Sequence, residues 1–363
     1  MAEDPTHRAV ENLLMLQRVG NTLTKQARDD LRKLFDDIVA DLVRYDPTGV
    51  SAERWRRLRT SKVLDAVRER NREAFEAIRK ELRMGLGEVG AAQAEWARET
   101  LQYTLGVAGN EIRVRLDGLT PAYFRQILDT DPFQGDTFQA WFKSVEDATQ
   151  RRIRQQVQMG MSQNETIDDI VRRVRGRSVG RGRFAGGVWG TTTRHAETVV
   201  RTAVNEISNR AHLDVYQQNA DITTGYQYVA TLDARTSDIC MSLDGQAWAW
   251  DDPGAKRPPQ HPRCRSTIVS VVDWKGLGIK PPDDGTRAAR RYTMEDGKLK
   301  PLPGQQVAAS TDYEQWLKSQ PKGVVSEILG PGRAKLFNEG KIGLRDLVRK
   351  DGTTVPLSQL RDA

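Results

Sequence analysis

The stretch T-L-D-A-R-T-S-D-I-C-M-S-L-D-G-Q at residues 231–246, with P-P-Q-H-P-R-C-R-S at residues 258–266, holds both cysteines of a 363-residue chain and one of its four histidines. Cys240, His261 and Cys264 fall within 25 residues, and His261 and Cys264 stand three apart on a proline-stiffened turn. Two thiolates and an imidazole in that pattern suit a structural zinc ion, which normally takes four ligands in a tetrahedron. Asp233, at the start of the D-A-R-T turn, is the expected fourth ligand, ahead of Asp238 or a water. A small unit buries too little apolar surface to hold itself, and a metal joining Cys240 to the His261–Cys264 turn closes the loop between them. A disulfide, or two reduced thiols packed without metal, stay open as alternatives. A nucleophile pair of Cys240 or Cys264 with His261 or His195 is formally available, but nothing specifies a base, an orienter and an oxyanion site together.

Working outward, Tyr226 to Val229 and the β-branched run Thr267 to Val272 read as strands on either side of this kernel. Before them, Ala196, Val199, Val200, Ala203, Val204, Ile207 and Ala211 mark one face of a helix reaching about Asn219. Residues 194–275 are thus expected to form a small α+β module containing a short antiparallel sheet.

Upstream, the spacing of Leu31, Leu34, Phe35, Ile38, Val39 and Leu42 predicts an amphipathic helix. Leu64, Val67, Phe75, Ile78 and Leu82 predict a second, and Trp96, Leu101 and Leu105 a third, giving a helical arm or bundle over 1–110 that is compatible with an elongated arrangement. Ile112, Val114 and Leu116 alternate with charged residues as a short strand or extended connector. A helical hairpin is expected over 111–175, with Thr120-Pro121 opening one helix and a capping box at Ser162–Glu165 opening another. Beyond the module, 276–310 is rich in Pro, Gly and charge and reads as a linker. Residues 311–363 read as a helical tail, opened by a capping box at Thr311–Glu314. The fold class is mainly α with a small α+β module.

The net charge of +7 has a local origin. Between Val171 and Ala196 lie seven arginines and no acid, and the remaining 49 basic residues equal the 49 acidic ones. Arg172, Arg173, Arg175, Arg177, Arg181 and Arg183 lead into or lie within a glycine-rich segment, 176–193, expected as a mobile loop. With Phe184 and Trp189 it offers charge and stacking together, so double-stranded DNA is a candidate ligand. Mean hydropathy is −0.62. No run approaches the roughly 18 to 20 apolar residues of a membrane span, and M-A-E-D-P-T-H-R lacks an apolar signal region, so a soluble protein that stays in the cytoplasm after synthesis, with no membrane partner, is expected. The deaminase set H-x-E with P-C-x-x-C, the H-E-x-x-H zincin helix and the phosphate loop G-x-x-x-x-G-K are all absent, so no enzyme is predicted.

The order R-T-A-V-N-E-I-S-N-R, then D-A-R-T-S-D-I-C-M-S-L-D-G, then H-P-R-C-R-S resembles the Mu F-like minor head proteins, the phage head morphogenesis family of tailed bacteriophages. The resemblance runs in register from about Gln155 to Ala363. It departs at Ala203, where an acid is common, and at Ser266, where a further cysteine often stands. It implies a structural protein of the virion head, near the portal on the inner capsid, with the portal protein and a major capsid or scaffolding protein as partners and contact with packaged or ejected DNA. An effector enzyme or toxin carrying such a domain, or a free nucleic-acid-binding protein, is the alternative.

Overall fold

The computed structural model describes residues 5–44, 52–109, 111–163, 165–180, 183–282, 285–349 and 351–361. In chain order the helices α1 (Pro5–Arg44), α2 (Ala52–Val107), α3 (Pro121–Thr130), α4 (Phe138–Ser162) and α5 (Ile167–Arg175) precede a small hairpin, β1 (Arg177–Ser178) and β2 (Phe184–Ala185). Then follow α6 (Gly187–Gln218), β3 (Thr223–Val229), α7 (Asp238–Leu243), β4 (Ala247–Ala249) and β5 (Thr267–Val272). The C-terminal part holds β6 (Thr286–Ala289), β7 (Tyr292–Glu295), β8 (Lys298–Pro301) and β9 (Gln305–Ala308). It ends with α8 (Tyr313–Lys318), α9 (Lys322–Leu329), α10 (Pro331–Asn338), a 3-10 turn at Leu344–Leu347 and α11 (Leu357–Arg361). The fold is mainly α with small antiparallel sheets, as the sequence predicts.

Two compact units share this chain, one of Met1–Gln17, Val89–Phe124 and Asn205–Ala363, the other of Arg18–Glu88 and Arg125–Val204. In the second, Leu31, Leu34, Phe35 and Ile38 of α1 are buried, as are Phe75, Ile78 and Leu82 of α2 and Phe138 and Phe142 of α4. Phe75 meets Phe142 at 5.8 Å and Phe35 meets Trp189 edge-on at 5.5 Å. In the first unit, β3 is the centre of a three-stranded antiparallel sheet in the order β4-β3-β5, with Tyr228 opposite Ile268 and Tyr226 opposite Trp248. Ala9, Val10, Val229 and Val269 form a buried cluster with Trp96 and Ala288 against it.

Several expectations need correction. The third arm helix is the continuation of α2, which runs unbroken through Gly85 and Gly90. A Cβ at Gly90 would lie 2.3 Å from Phe124, so close packing favours the glycine that helix propensity disfavours. Residues 112–116 join no sheet, so of the two readings offered for them the connector is the one found. Ser162 closes α4, and the capping box falls at Thr166 and Asp169; likewise Asp312 and Gln315, not Thr311 and Glu314, cap α8. The supposed mobile loop 176–193 holds the β1–β2 hairpin and the first turns of α6.

The supposed linker 276–310 contains two antiparallel pairs, β6 with β9 and, nested within it, β7 with β8. Glu295 pairs with Lys298 across Asp296 and Gly297, whose φ values of 51° and 69° are those of a type I′ hairpin turn. The C-terminal core of Tyr313, Trp316, Leu317, Val325, Leu329, Leu336 and Phe337 also takes in Leu232 and Met241, so the tail packs on the kernel itself.

A polar clasp lies inside the first unit. Gln93 Oε1 accepts from Asn12 Nδ2 at 2.6 Å and Ser208 Oγ at 3.0 Å and stands 3.0 Å from His212 Nε2, so one amide joins α1, α2 and α6. Full burial holds His212 neutral, its pKa pushed down from 6.5 to about 3. The unfolded chain takes up this proton near pH 6.5 and the folded chain does not. This stabilisation is therefore complete above about pH 6.5 and falls toward pH 3 by about 1.4 kcal/mol per unit. Between pH 6.5 and 5 the native protein should lose about 2 kcal/mol more than a His212→Gln variant, read from urea midpoints. Equal pH slopes for the two proteins would contradict this.

Candidate metal centre

Three short elements bring the kernel residues together. Ser237 caps α7, accepting from the Cys240 backbone N–H at 3.4 Å, and thereby fixes the turn of helix that carries Cys240. The His261–Cys264 turn closes with Cys264 N–H donating to the His261 carbonyl at 3.1 Å and with Arg263 at a φ of 60°. Tyr228, central in β3 and fully buried, places its hydroxyl 3.2 Å from Cys240 Sγ and 3.9 Å from Cys264 Sγ. The two sulfurs are 3.6 Å apart, His261 Nε2 lies 3.4 Å from Cys240 Sγ, and the three ligand atoms are all within 4.8 Å of one another.

These distances exclude a disulfide and fit either a metal site or two reduced thiols packed together. A disulfide needs about 2.05 Å between sulfurs, and both cysteines are free. Two sulfurs about 2.3 Å from one zinc ion at the tetrahedral angle stand about 3.8 Å apart, and sulfur and imidazole nitrogen about 3.5 Å apart. The Cys240–Cys264 and Cys240–His261 distances are thus close to those of ligands around one metal ion, and the three residues form a group that could hold one. Cys264 is drawn well below the usual thiol range, first by its hydrogen bond with Cys240 and, against burial, by His261. That same bond, with burial, pushes Cys240 up.

Asp233, expected as the fourth ligand, is engaged elsewhere. Its two oxygens accept from Arg265 Nη1 at 2.6 Å and Nη2 at 2.7 Å, and one also caps the turn by accepting from Arg235 N–H. Burial opposes its charge, but Arg265 more than offsets this and holds the carboxyl below its usual range. Asp238 pairs with Arg333 of α10 at 2.9 Å. What does border the cluster is a cavity of about 20 Å³ lined by Ser237, Cys240, His261 and Ser266 together with Arg235, Arg263 and Arg265. That is room for about one water.

The neighbouring motif residues serve as fasteners, several of them missed by sequence reasoning. Asn205 and Asn209 of α6 donate to the Ser266 carbonyl at 3.0 and 3.3 Å, anchoring the end of the H-P-R-C-R-S segment. Their signal was visible: Asn205, Ser208, Asn209 and His212 put polar groups among the apolar residues of a buried helix. Asp244, the acid of L-D-G, accepts from Ala230 N–H at 2.6 Å and pairs with Arg287 of β6 at 3.1 Å, both side chains being almost wholly buried. Only the fold brings these two together across 43 residues.

The arginine segment lies in the other unit and splits into two sets. Arg172 pairs with Asp169 at 2.7 Å, Arg173 with Glu165, and Arg175 with Asp36 while stacking 3.9 Å from the Phe184 ring centre. Arg177 and Arg183 are exposed on the β1–β2 hairpin and enter no ion pair among the described residues; Arg181 lies outside them.

Residues 135–269 match the protein family described as Phage Mu protein F like protein. Comparison with curated proteins and with solved structures found no match. The matched region begins before α4 and ends within β5, so it includes Asp233, Cys240, Asp244, His261 and Cys264.

Replacing Arg287 by Ala would leave Asp244 buried without its partner, a loss of about 3–5 kcal/mol. Adding Asp244→Asn should recover part of it, because the neutral amide needs no counter-charge. Urea unfolding checks both; a loss below about 1 kcal/mol for Arg287→Ala would show that the pair does not secure the C-terminal hairpins.

Proposed function

We propose, starting from the Phage Mu protein F like region at residues 135–269, that this chain is a structural minor head protein of a tailed phage. It acts in head assembly at the portal and inner capsid, with the portal protein and a major capsid or scaffolding protein as partners. The single observation that carries the reading is the match over the region holding D-A-R-T, L-D-G and H-P-R-C-R-S. The use of those residues as internal fasteners supports it: Asp233 and Asp244 each hold an arginine.

In this reading Cys240, His261 and Cys264 hold a structural zinc ion, completed by one water in the adjoining cavity. Thiolate and imidazole are ligands that zinc favours, and joining Cys240 to the His261–Cys264 turn makes metal binding part of the folding free energy. Contact with packaged DNA falls to Arg177 and Arg183, because Arg172, Arg173 and Arg175 already have acidic partners. No helix among the described residues is long and apolar enough to cross a membrane.

Co-expression with the portal and major capsid proteins of the same phage, followed by gradient sedimentation, tests the role. The chain should move with portal complexes or shells. In DNA-filled heads, Arg177→Gln with Arg183→Gln should lower cross-linking to DNA without removing the chain from the particle. A chain that stays at the top of the gradient in every combination overturns the assembly role, and unchanged cross-linking overturns the DNA contact.

A further inference from the structure

Helix α7 turns Cys240 toward the thiol cluster, while Ile239, Ser242 and Leu243 line a separate groove of about 630 Å³. This is within the roughly 300–1,000 Å³ of ordinary ligand-binding clefts. Its apolar surface comes from Ile239, Leu243, Trp248 and Val348, the first three of which are half-buried and pack against the cluster of Tyr228, Ala230, Cys240 and Cys264. The ring of Trp248 stands edge-on to Tyr228 at 6.5 Å, and the Tyr228 hydroxyl touches Cys240. The same residues that surround the thiols thus present an apolar wall to solvent.

The groove is charged to one sign. Lys256, Arg345 and Arg349 line it against a single acid, Asp351. Arg349 donates to neutral oxygens, those of Thr353, Thr354 and Gln359, and meets Asp351 only at a distance. Lys256 and Arg345 form no ion pair among the described residues, and Arg345 acts on Glu314 only at a distance. Asp351 is turned into its own loop, accepting from the Thr353 N–H at 2.9 Å and hydroxyl at 2.6 Å.

We propose that this groove docks an acidic peptide segment of a partner protein, which inserts an apolar side chain against Ile239, Leu243 and Trp248 while its carboxylates meet Lys256, Arg345 and Arg349. A peptide supplies both halves of that complementarity. A nucleic-acid backbone supplies the charge but leaves the apolar wall without a partner. The site needs neither portal nor shell, so it stands or falls apart from the assembly role.

The test uses the purified full-length chain on an array of twelve-residue peptides that combine none, two or four acidic residues with a central Leu, Phe, Trp or Ser, and a duplex oligonucleotide as a separate probe. The acidic peptides with an apolar centre should bind. Affinity should fall about tenfold when the centre is Ser, and about tenfold again for Lys256→Glu with Arg345→Glu, both exposed positions whose exchange leaves the fold intact by circular dichroism. No binding by the acidic apolar peptides, equal binding with Ser at the centre, or equal binding by the charge-reversed variant overturns the proposal. Oligonucleotide binding that disappears on charge reversal also overturns it, in favour of a nucleic-acid surface.

Discussion

A three-stranded sheet of seven, three and six residues is too small to hold its own connections in place. The 37-residue path from the end of β3 to the start of β5 contains only α7 and β4 as regular elements, and its geometry depends on the meeting of Cys240, His261 and Cys264. That meeting draws α7 and the His261–Cys264 turn onto Tyr228 of β3. With a metal ion bound, three side chains that would otherwise bury polarised sulfur and imidazole at some cost become ligands, and loop closure becomes part of the folding free energy.

The rest of the motif reinforces this closure by buried charge. Asp233 and Arg265 tie the D-A-R-T turn to the H-P-R-C-R-S segment, and Asn205 and Asn209 tie that segment to α6. Asp244 and Arg287 then join the kernel to β6, Arg290 N–H donates to Leu232 O at 2.9 Å, and Tyr313 donates to Asp233 O at 2.7 Å. The two ion pairs, Asp233 with Arg265 and Asp244 with Arg287, are costly to break one-sidedly, and the second ties the module to its C-terminal part. The consequence for function is that the motif residues are turned inward. Among the described residues, the groove beside α7 faces outward.

The legible parts of the fold were those with strong periodicity. The heptad-like spacing in α1 and α6 and the β-branched run of β5 have one reading each, and Cys240, His261 and Cys264 announce themselves by residue type and spacing. Failures came where local composition argued against order. Pro, Gly and charge around Pro281 to Gly285 suggested a linker, yet Asp296-Gly297 is a hairpin signal that outweighs them once its flanking strands pair. Trp96, Leu101 and Leu105 read as a third helix, yet α2 runs on to them without a break, and Gly90 within it admits Phe124. Asp233 was misjudged as a ligand because spacing alone does not reveal that Arg265, 32 residues away, reaches it first. The Asp244–Arg287 pair has no local signal at all.

Whether the thiol cluster is a metal clamp can be measured directly by zinc K-edge X-ray absorption on the purified chain, with total metal counted on the same sample. A clamp gives one zinc per chain, with two sulfurs at about 2.3 Å, one imidazole nitrogen near 2.0–2.1 Å and one further light atom, and loses it in Cys264→Ser. A folded chain without bound metal, a zinc ion surrounded only by nitrogen and oxygen, or sulfurs joined at about 2.05 Å would contradict it.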